Sequence, residues 1–191
     1  LGSHALDLIR FLLGDFQAVQ ATTEIFIKER PLADQPGKWG KVEVDDLALM
    51  LLRLKGRGVG TLEASRVATG AEDELRFEVH GNQGAIYFKL MEPNWLWVYD
   101  VRAEGEPIGG RRGFTKIATT QRYPKPVALP SPKFTVGWMR FHVASQHDFL
   151  TSIIEDRPTS PSFEDGLKVQ EVMEAAYLSA REGRWVDLPL P

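Results

Sequence analysis

The sequence predicts an α+β fold: an open, mainly antiparallel β-sheet of about six strands with helices packed on one face. Three observations lead there. An amphipathic helix opens the chain, strand-like segments then follow one another without interruption, and two helical segments close it. Strands grouped together, with helices segregated at the ends, do not give the strand–helix alternation of a parallel sheet.

Each element has a local reason. His4 to Leu13 reads as the first helix, with Ala5, Leu8, Ile9 and Leu12 at helical spacing as its buried stripe. Gly14 suits the C-cap because it tolerates positive φ. Ala18 to Ile27 is rich in Val, Thr, Ile and Phe with polar residues on alternate positions, which predicts a strand. Residues 30–41, with Pro31, Pro36, Gly37 and Gly40, read as a loop. Val42 to Leu54 is a long strand that turns apolar on both faces at Leu47 to Leu52. That pattern predicts a central strand covered on both sides, the second cover being another subunit. Lys55 to Gly58 turns the chain, and Val59 to Val67 returns. Glu74 to His80 alternates again, and Gly81-Asn82-Gln83-Gly84 is a turn in which Gly and Asn supply positive φ. Ala85 to Leu90 and Trp95 to Asp100 complete the meander. Residues 103–137 read as a long irregular excursion.

Arg140 to Glu155 is helical, with Phe141, Phe149, Leu150, Ile153 and Ile154 as apolar markers, and Pro158 and Pro161 break it. Ser162 is a good N-cap, and Glu164 and Asp165 complement the helix dipole. Val169, Val172, Met173, Ala176 and Ala180 mark one face of the last helix, which ends at Gly183. Trp185 to Leu188 is a short final strand.

A length of 191 residues suits one domain, residues 1–191, with a sizeable core. The net charge of −3 gives no electrostatic argument for nucleic acid or an anionic membrane as partner. The absence of cysteine excludes disulfides, thiolate nucleophiles and cysteine-ligated zinc, and fits a cytoplasmic protein. No apolar run approaches the roughly 18 residues of a membrane span.

Several local signatures occur in order. Gly2-x-His4-x-x-Asp7 opens the helix that ends at Leu13-Gly14. Val44-Asp45-Asp46-Leu47-Ala48 precedes Gly56 and Gly60, and Val79-His80-Gly81-Asn82-Gln83-Gly84-Ala85-Ile86 forms a hairpin. Ser162-Phe163-Glu164-Asp165-Gly166-Leu167 and Ala175-Ala176-Tyr177-Leu178-Ser179-Ala180 lead to Gly183. Together these resemble, across essentially the whole chain, the C-terminal domain of the glucose-fructose oxidoreductase and inositol dehydrogenase (Gfo/Idh/MocA) family. The resemblance implies an NAD(P)-dependent oxidoreductase acting on a CH–OH group of a sugar or polyol. It further implies an N-terminal Rossmann domain, holding NAD or NADP and a catalytic lysine, that is absent from this chain. The fragment alone is then expected to be inactive and to bind no cofactor. The family's helix-start motif, Asp-x-Gly-x-His, matches at Gly2 and His4, and its Asp would fall one position before Leu1.

The resemblance points to His4 as the catalytic proton acceptor or donor, a role imidazole suits because its ordinary pKa of ~6.5 lies near neutrality. Gly2-Ser3-His4 is also the scar of a cleaved affinity tag. Asp7 lies one turn on, where it orients the imidazole, binds a substrate hydroxyl or complements the helix dipole. Three residues are candidates for substrate binding: Arg66, which could equally be a solvated strand-end residue; Trp39, in the Gly/Pro loop; and Trp138, ahead of the second helix. Both tryptophans have a plain packing alternative. Trp95 and Trp97 share a strand face and read as core or subunit interface. Arg111 and Arg112 read as a solvated loop, and the four histidines show no metal-ligand spacing. The open sheet face predicts self-association as a dimer or tetramer. A reading from a different class is a non-enzymatic module that uses the same face for dimerisation or scaffolding.

Overall fold

Helix α1 (Gly2–Leu13) leads into β1 (Phe16–Glu24). A ribbon of β2 (Glu29–Pro31) and β3 (Trp39–Lys41) precedes the hairpin of β4 (Leu47–Leu54) and β5 (Val59–Ser65). A meander follows: β6 (Arg76–Gly81), β7 (Gly84–Lys89), β8 (Trp95–Asp100) and β9 (Thr115–Ala118). Helices α2 (Trp138–Ile154) and α3 (Phe163–Glu182) and the strand β10 (Val186–Asp187) complete the order. The structure is a computed structural model that describes residues 1–110, 112–120 and 135–191. No described helix is long and apolar enough to cross a membrane.

All described strand pairs are antiparallel, as the α+β reading expects. The strands divide into a four-stranded sheet in the order β10-β1-β4-β5, the ribbon β2-β3, and a second four-stranded sheet β6-β7-β8-β9, where a single sheet of about six strands was expected. Residues 1–70 and 160–191 form one compact unit, and residues 71–159 another.

The first unit is built around β4. Ala48, Met50, Leu52 and Leu54 alternate inward and are buried. They meet Leu6 of α1, Phe16 and Val19 of β1, and Val169, Val172, Ala175 and Ala176 of α3 in one apolar core. Within this chain β4 is covered on one face, and the other is the face for which the sequence expects a second subunit. Leu49 and Leu51 are 41% and 47% exposed. They lie across from Thr22 and Gln20 on β1 and from Glu63 and Thr61 on β5, on the face the helices leave open. The α1 stripe is also shifted. Leu6 is fully buried with Ala5 and Ile9 packed beside it, whereas Leu12 is 44% exposed, because α1 touches the core along one side only.

Two polar devices fasten the helices. Ser162 and Asp165 form a reciprocal capping box: Ser162 Oγ accepts from the Asp165 amide, and Asp165 Oδ2 accepts from the Ser162 amide at 2.7 Å. Asp165 also receives Arg10 Nη1 at 2.7 Å, and Arg10 Nε donates to Asp15 at 2.9 Å, so the end of α1 is tied to the start of α3. At the other end of α3, buried Ser179 accepts from the Ala21 amide at 2.9 Å and donates to the Arg184 carbonyl. It thereby satisfies β1 beyond the end of the short β10. Gly183 closes α3 in the left-handed conformation expected of it, at φ 67°.

In the second unit, Phe77, Val79, Ile86, Phe88, Leu96 and Val98 share one sheet face, and Tyr87, Trp95 and Trp97 share the other. Lys116 Nζ stands 4.6 Å and 5.2 Å from the Trp95 and Trp97 ring centres. The turn at Gly81 to Gly84 forms as expected, yet without positive φ. Gly84 is required for another reason: a Cβ there would lie 2.2 Å from the Tyr99 carbonyl oxygen. Strand β9 lies within the stretch read as irregular, of which Arg111 and residues 121–134 fall outside the described residues. The α2 markers Phe149, Leu150, Ile153 and Ile154 are exposed among the described residues, while Ser152 is buried and Phe141 half-buried.

The capping box and the Arg10 guanidinium hold the Asp165 carboxyl well down, to about 2. That lies below the ordinary carboxylate value of ~3.9, so the stabilisation is complete above about pH 4 and is lost as pH falls toward 2. Asp165→Asn is expected to flatten the pH dependence of the melting temperature across that window. Equal slopes for the two proteins in thermal melts would refute the linkage.

Candidate functional site

A cleft of about 640 Å³ opens in the first unit, where the N-terminus of α1, the start of β4, the β2–β3 ribbon and α3 come together. Its floor is apolar: Ala48 and Met50 from β4, Ala64 from β5, and Met173 and Ala176 from α3. Its rim is polar and carries both signs of charge, with Arg30, Lys41 and Arg66 against Glu43, Asp45 and Asp46. Leu1, Gly2 and Ser3 border it at the first turn of α1.

Asp46 holds the rim together. It is 4% exposed, and a carboxylate so buried must be hydrogen-bonded. Its Oδ2 accepts from the amides of Phe26 at 2.9 Å and Ile27 at 2.8 Å, and its Oδ1 accepts from Arg30 Nη2 at 3.1 Å. The Ile27 amide is the main reason its pKa lies below the ordinary value; burial opposes this, and Arg30 and Phe26 add to the lowering. The ribbon was expected to be a loop. It is a small antiparallel hairpin with Pro31 opposite Trp39, and Asp46 pins its base. A two-stranded ribbon is marginal by itself in water, so the anchor matters.

Asp45 engages the other wall. Tyr177 Oη donates to Asp45 Oδ1 at 2.8 Å, which joins α3 to the start of β4. That hydrogen bond is the main cause that raises the Tyr177 phenol above its ordinary pKa of 10, with burial second.

The residues singled out from the sequence are distributed as follows. Arg66 lines the cleft, its backbone amide held by the Asp46 carbonyl at 2.8 Å. His4 is on the first turn of α1 with its side chain exposed, directly after Ser3 at the cleft border. Asp7 is half-buried one turn along, and no hydrogen bond joins it to His4. Trp39 is 64% exposed on the ribbon beside Gly40, which lines the cleft. Trp138 belongs to the second unit, 60% exposed and edge-on to His142 with ring centres 4.8 Å apart. Asp45, Asp46, Arg30 and Tyr177 were not singled out from the sequence as site residues. The available signal was the acidic doublet set directly against the apolar run of β4.

The family pattern described as "Oxidoreductase family, C-terminal alpha/beta domain" matches residues 1–188. Levoglucosan dehydrogenase of Pseudarthrobacter phenanthrenivorans is 34% identical over 201 residues, covering 99% of this chain and 50% of the relative. D-apiose dehydrogenase of Paraburkholderia graminis is 29% identical over 194 residues, covering 98% and 44%. A solved levoglucosan dehydrogenase in complex with NADH and levoglucosan superposes with a TM-score of 0.89 at 34% identity, over 100% of this chain and 50% of that one. The chain therefore spans about half the length of the curated relatives it matches.

The anchoring role of Asp46 is open to direct measurement. An amide side chain offers one acceptor oxygen where a carboxylate offers two, so Asp46→Asn must break either the bonds to Phe26 and Ile27 or the bond to Arg30. The Phe26 and Ile27 amides are expected to exchange with solvent about 10-fold faster or more, while core amides such as Val19 and Leu52 keep their protection. Unchanged exchange at Phe26 and Ile27 would remove the anchor from the account.

Proposed function

The chain belongs to the Gfo/Idh/MocA oxidoreductase family, and we propose that it is the substrate-binding domain of an NAD(P)-dependent oxidoreductase acting on a CH–OH group of a sugar or polyol. The observation that carries this reading is the cleft beside the first turn of α1, in a chain whose whole length matches the C-terminal half of sugar dehydrogenases.

The chain's own residues do not fit a dinucleotide. Every described strand pair is antiparallel, and the sequence has no Gly-x-Gly-x-x-Gly turn. NAD or NADP would be held by a separate Rossmann domain, where it would exchange a hydride with the substrate carbon. This domain contributes binding, orientation and proton handling. A ring nitrogen of His4 takes the hydroxyl proton on oxidation and returns it on reduction; the exposed imidazole is open to a substrate seated at the cleft mouth. Asp7, one turn along α1, orients that imidazole or binds a substrate hydroxyl. Arg66 donates to substrate oxygens from the rim, and Trp39, on the ribbon beside the cleft, offers an aromatic surface to the C–H face of a sugar ring.

The open face of the first sheet supports self-association. Leu49 and Leu51 lie on it in the middle of β4, ringed by Thr22, Gln20, Thr61 and Glu63, which is the layout of an apolar centre with a polar rim.

In the full-length enzyme, His4→Ala is expected to lower kcat by about 10²- to 10⁴-fold while cofactor binding is unchanged. Wild-type turnover in that variant would take the proton-transfer role from His4. Sedimentation of the same enzyme at micromolar concentration is expected to show a dimer or tetramer that Leu49→Glu disrupts. A wild-type monomer would end the self-association reading.

A further inference from the structure

We propose that Asp45, positioned by Tyr177, is the group that reads substrate hydroxyls in the cleft, and that it selects neutral polyhydroxylated ligands over anionic or deoxygenated ones. The inference rests on the functional reading above and extends it to a specificity-determining residue.

A carboxylate accepts on both oxygens and donates nothing. Tyr177 occupies Oδ1, and among the described residues no other group donates to Asp45. Oδ2 is therefore left for a donor supplied from the cleft, and Oδ1 retains a second lone pair. Asp46 next to it is fully engaged by Phe26, Ile27 and Arg30, so the two carboxylates of the doublet have separate tasks.

Position follows from the clamp. The phenol on α3 fixes the Asp45 side chain at the cleft wall, so its orientation is set before a ligand arrives, which lowers the entropic cost of binding. Arg66 lines the same cleft and presents donors only, while Lys41 on the rim is paired with Glu43 at 3.6 Å. A group that meets both Asp45 and Arg66 must both give and receive hydrogen bonds. A hydroxyl does both. A carboxylate or phosphate ligand can pair with Arg66 but gives no hydrogen bond to Asp45 and meets its like charge. The floor of Met50, Ala48, Ala64, Met173 and Ala176 suits the C–H face of a sugar ring. A site built to bind a hydroxyl rejects the analogue that lacks it, because the polar group is then left unpaired.

The test uses the full-length enzyme, with NAD(P)⁺ reduction measured against a panel of neutral sugars and polyols, their deoxy analogues and the matching sugar acids. Asp45→Asn is expected to raise KM for the preferred sugar by about 10- to 100-fold with a much smaller change in kcat, and to erase most of the preference over one deoxy analogue. Tyr177→Phe leaves Asp45 in place but unclamped; it is expected to raise the same KM by a few fold, and it decides the question if the Asn variant does not fold. Unchanged KM and unchanged deoxy discrimination in an active Asp45→Asn enzyme would overturn the inference and leave the functional reading standing. So would a fall in kcat with KM unaffected. A wild-type enzyme that oxidises no sugar or polyol overturns the functional reading and this inference together.

Discussion

The row Ala48, Met50, Leu52 and Leu54 on β4 has to be kept from water, and α1 and α3 are what keep it so. Each buried side chain of this size contributes about 1.5–3 kcal/mol, less for alanine, which makes the row the largest single drive in the first unit. Covering it fixes where the helices lie. The position of α3 then brings Met173, Ala176 and Tyr177 to the end of β4, and the position of α1 brings its first turn to the same place. The cleft lies where the apolar row ends at Ala48 and, past Leu47, the chain turns acidic at Asp46 and Asp45. A helix pair laid on a strand meets a polar edge there and cannot close over it.

That edge is organised by the cost of burying charge. Asp46 is nearly inaccessible and survives as a carboxylate because two backbone amides and a guanidinium meet it. The bonds that satisfy it also hold the β2–β3 ribbon, so one desolvated side chain sets the position of a whole cleft wall. The chain bends at Val44 and Asp46, just ahead of β4. Asp46 bonds toward the ribbon while Asp45 accepts from Tyr177 of α3, so the doublet braces two walls from one point.

Much of this was legible in the sequence. The period of α3, its Ser162 cap and its Gly183 stop are local signals, and they gave the helix almost residue for residue. The hairpins of β4–β5 and β6–β7 were legible because Gly-rich turns separate alternating runs. Two things were not. The ribbon was hidden by Pro31, Pro36 and Gly37, which read as loop residues although Pro31 sits at the strand end, where a missing amide costs little. The partnership of Asp45 with Tyr177 joins positions 132 residues apart, and no single-sequence pattern carries that distance. The histidine came from the resemblance of a motif, and its neighbourhood came only from the fold.

The clamp at the far end of α1 completes the logic of the site. Arg10 bridges Asp15 and Asp165, so the last turn of α1 is tied both to the entry of β1 and to the first turn of α3. These are charge-assisted bonds in a partly shielded setting, stronger than exposed pairs such as Lys41–Glu43. With Leu6 fully buried midway, the helix cannot slide or rotate without breaking the ion pairs and opening the core. The His4 and Ala5 amides bond to the Leu1 carbonyl in the first turn, and the clamp at the other end of the helix fixes its place further. A residue at that first turn can then be solvent-facing and still well placed, which is what the proton transfer proposed for His4 requires.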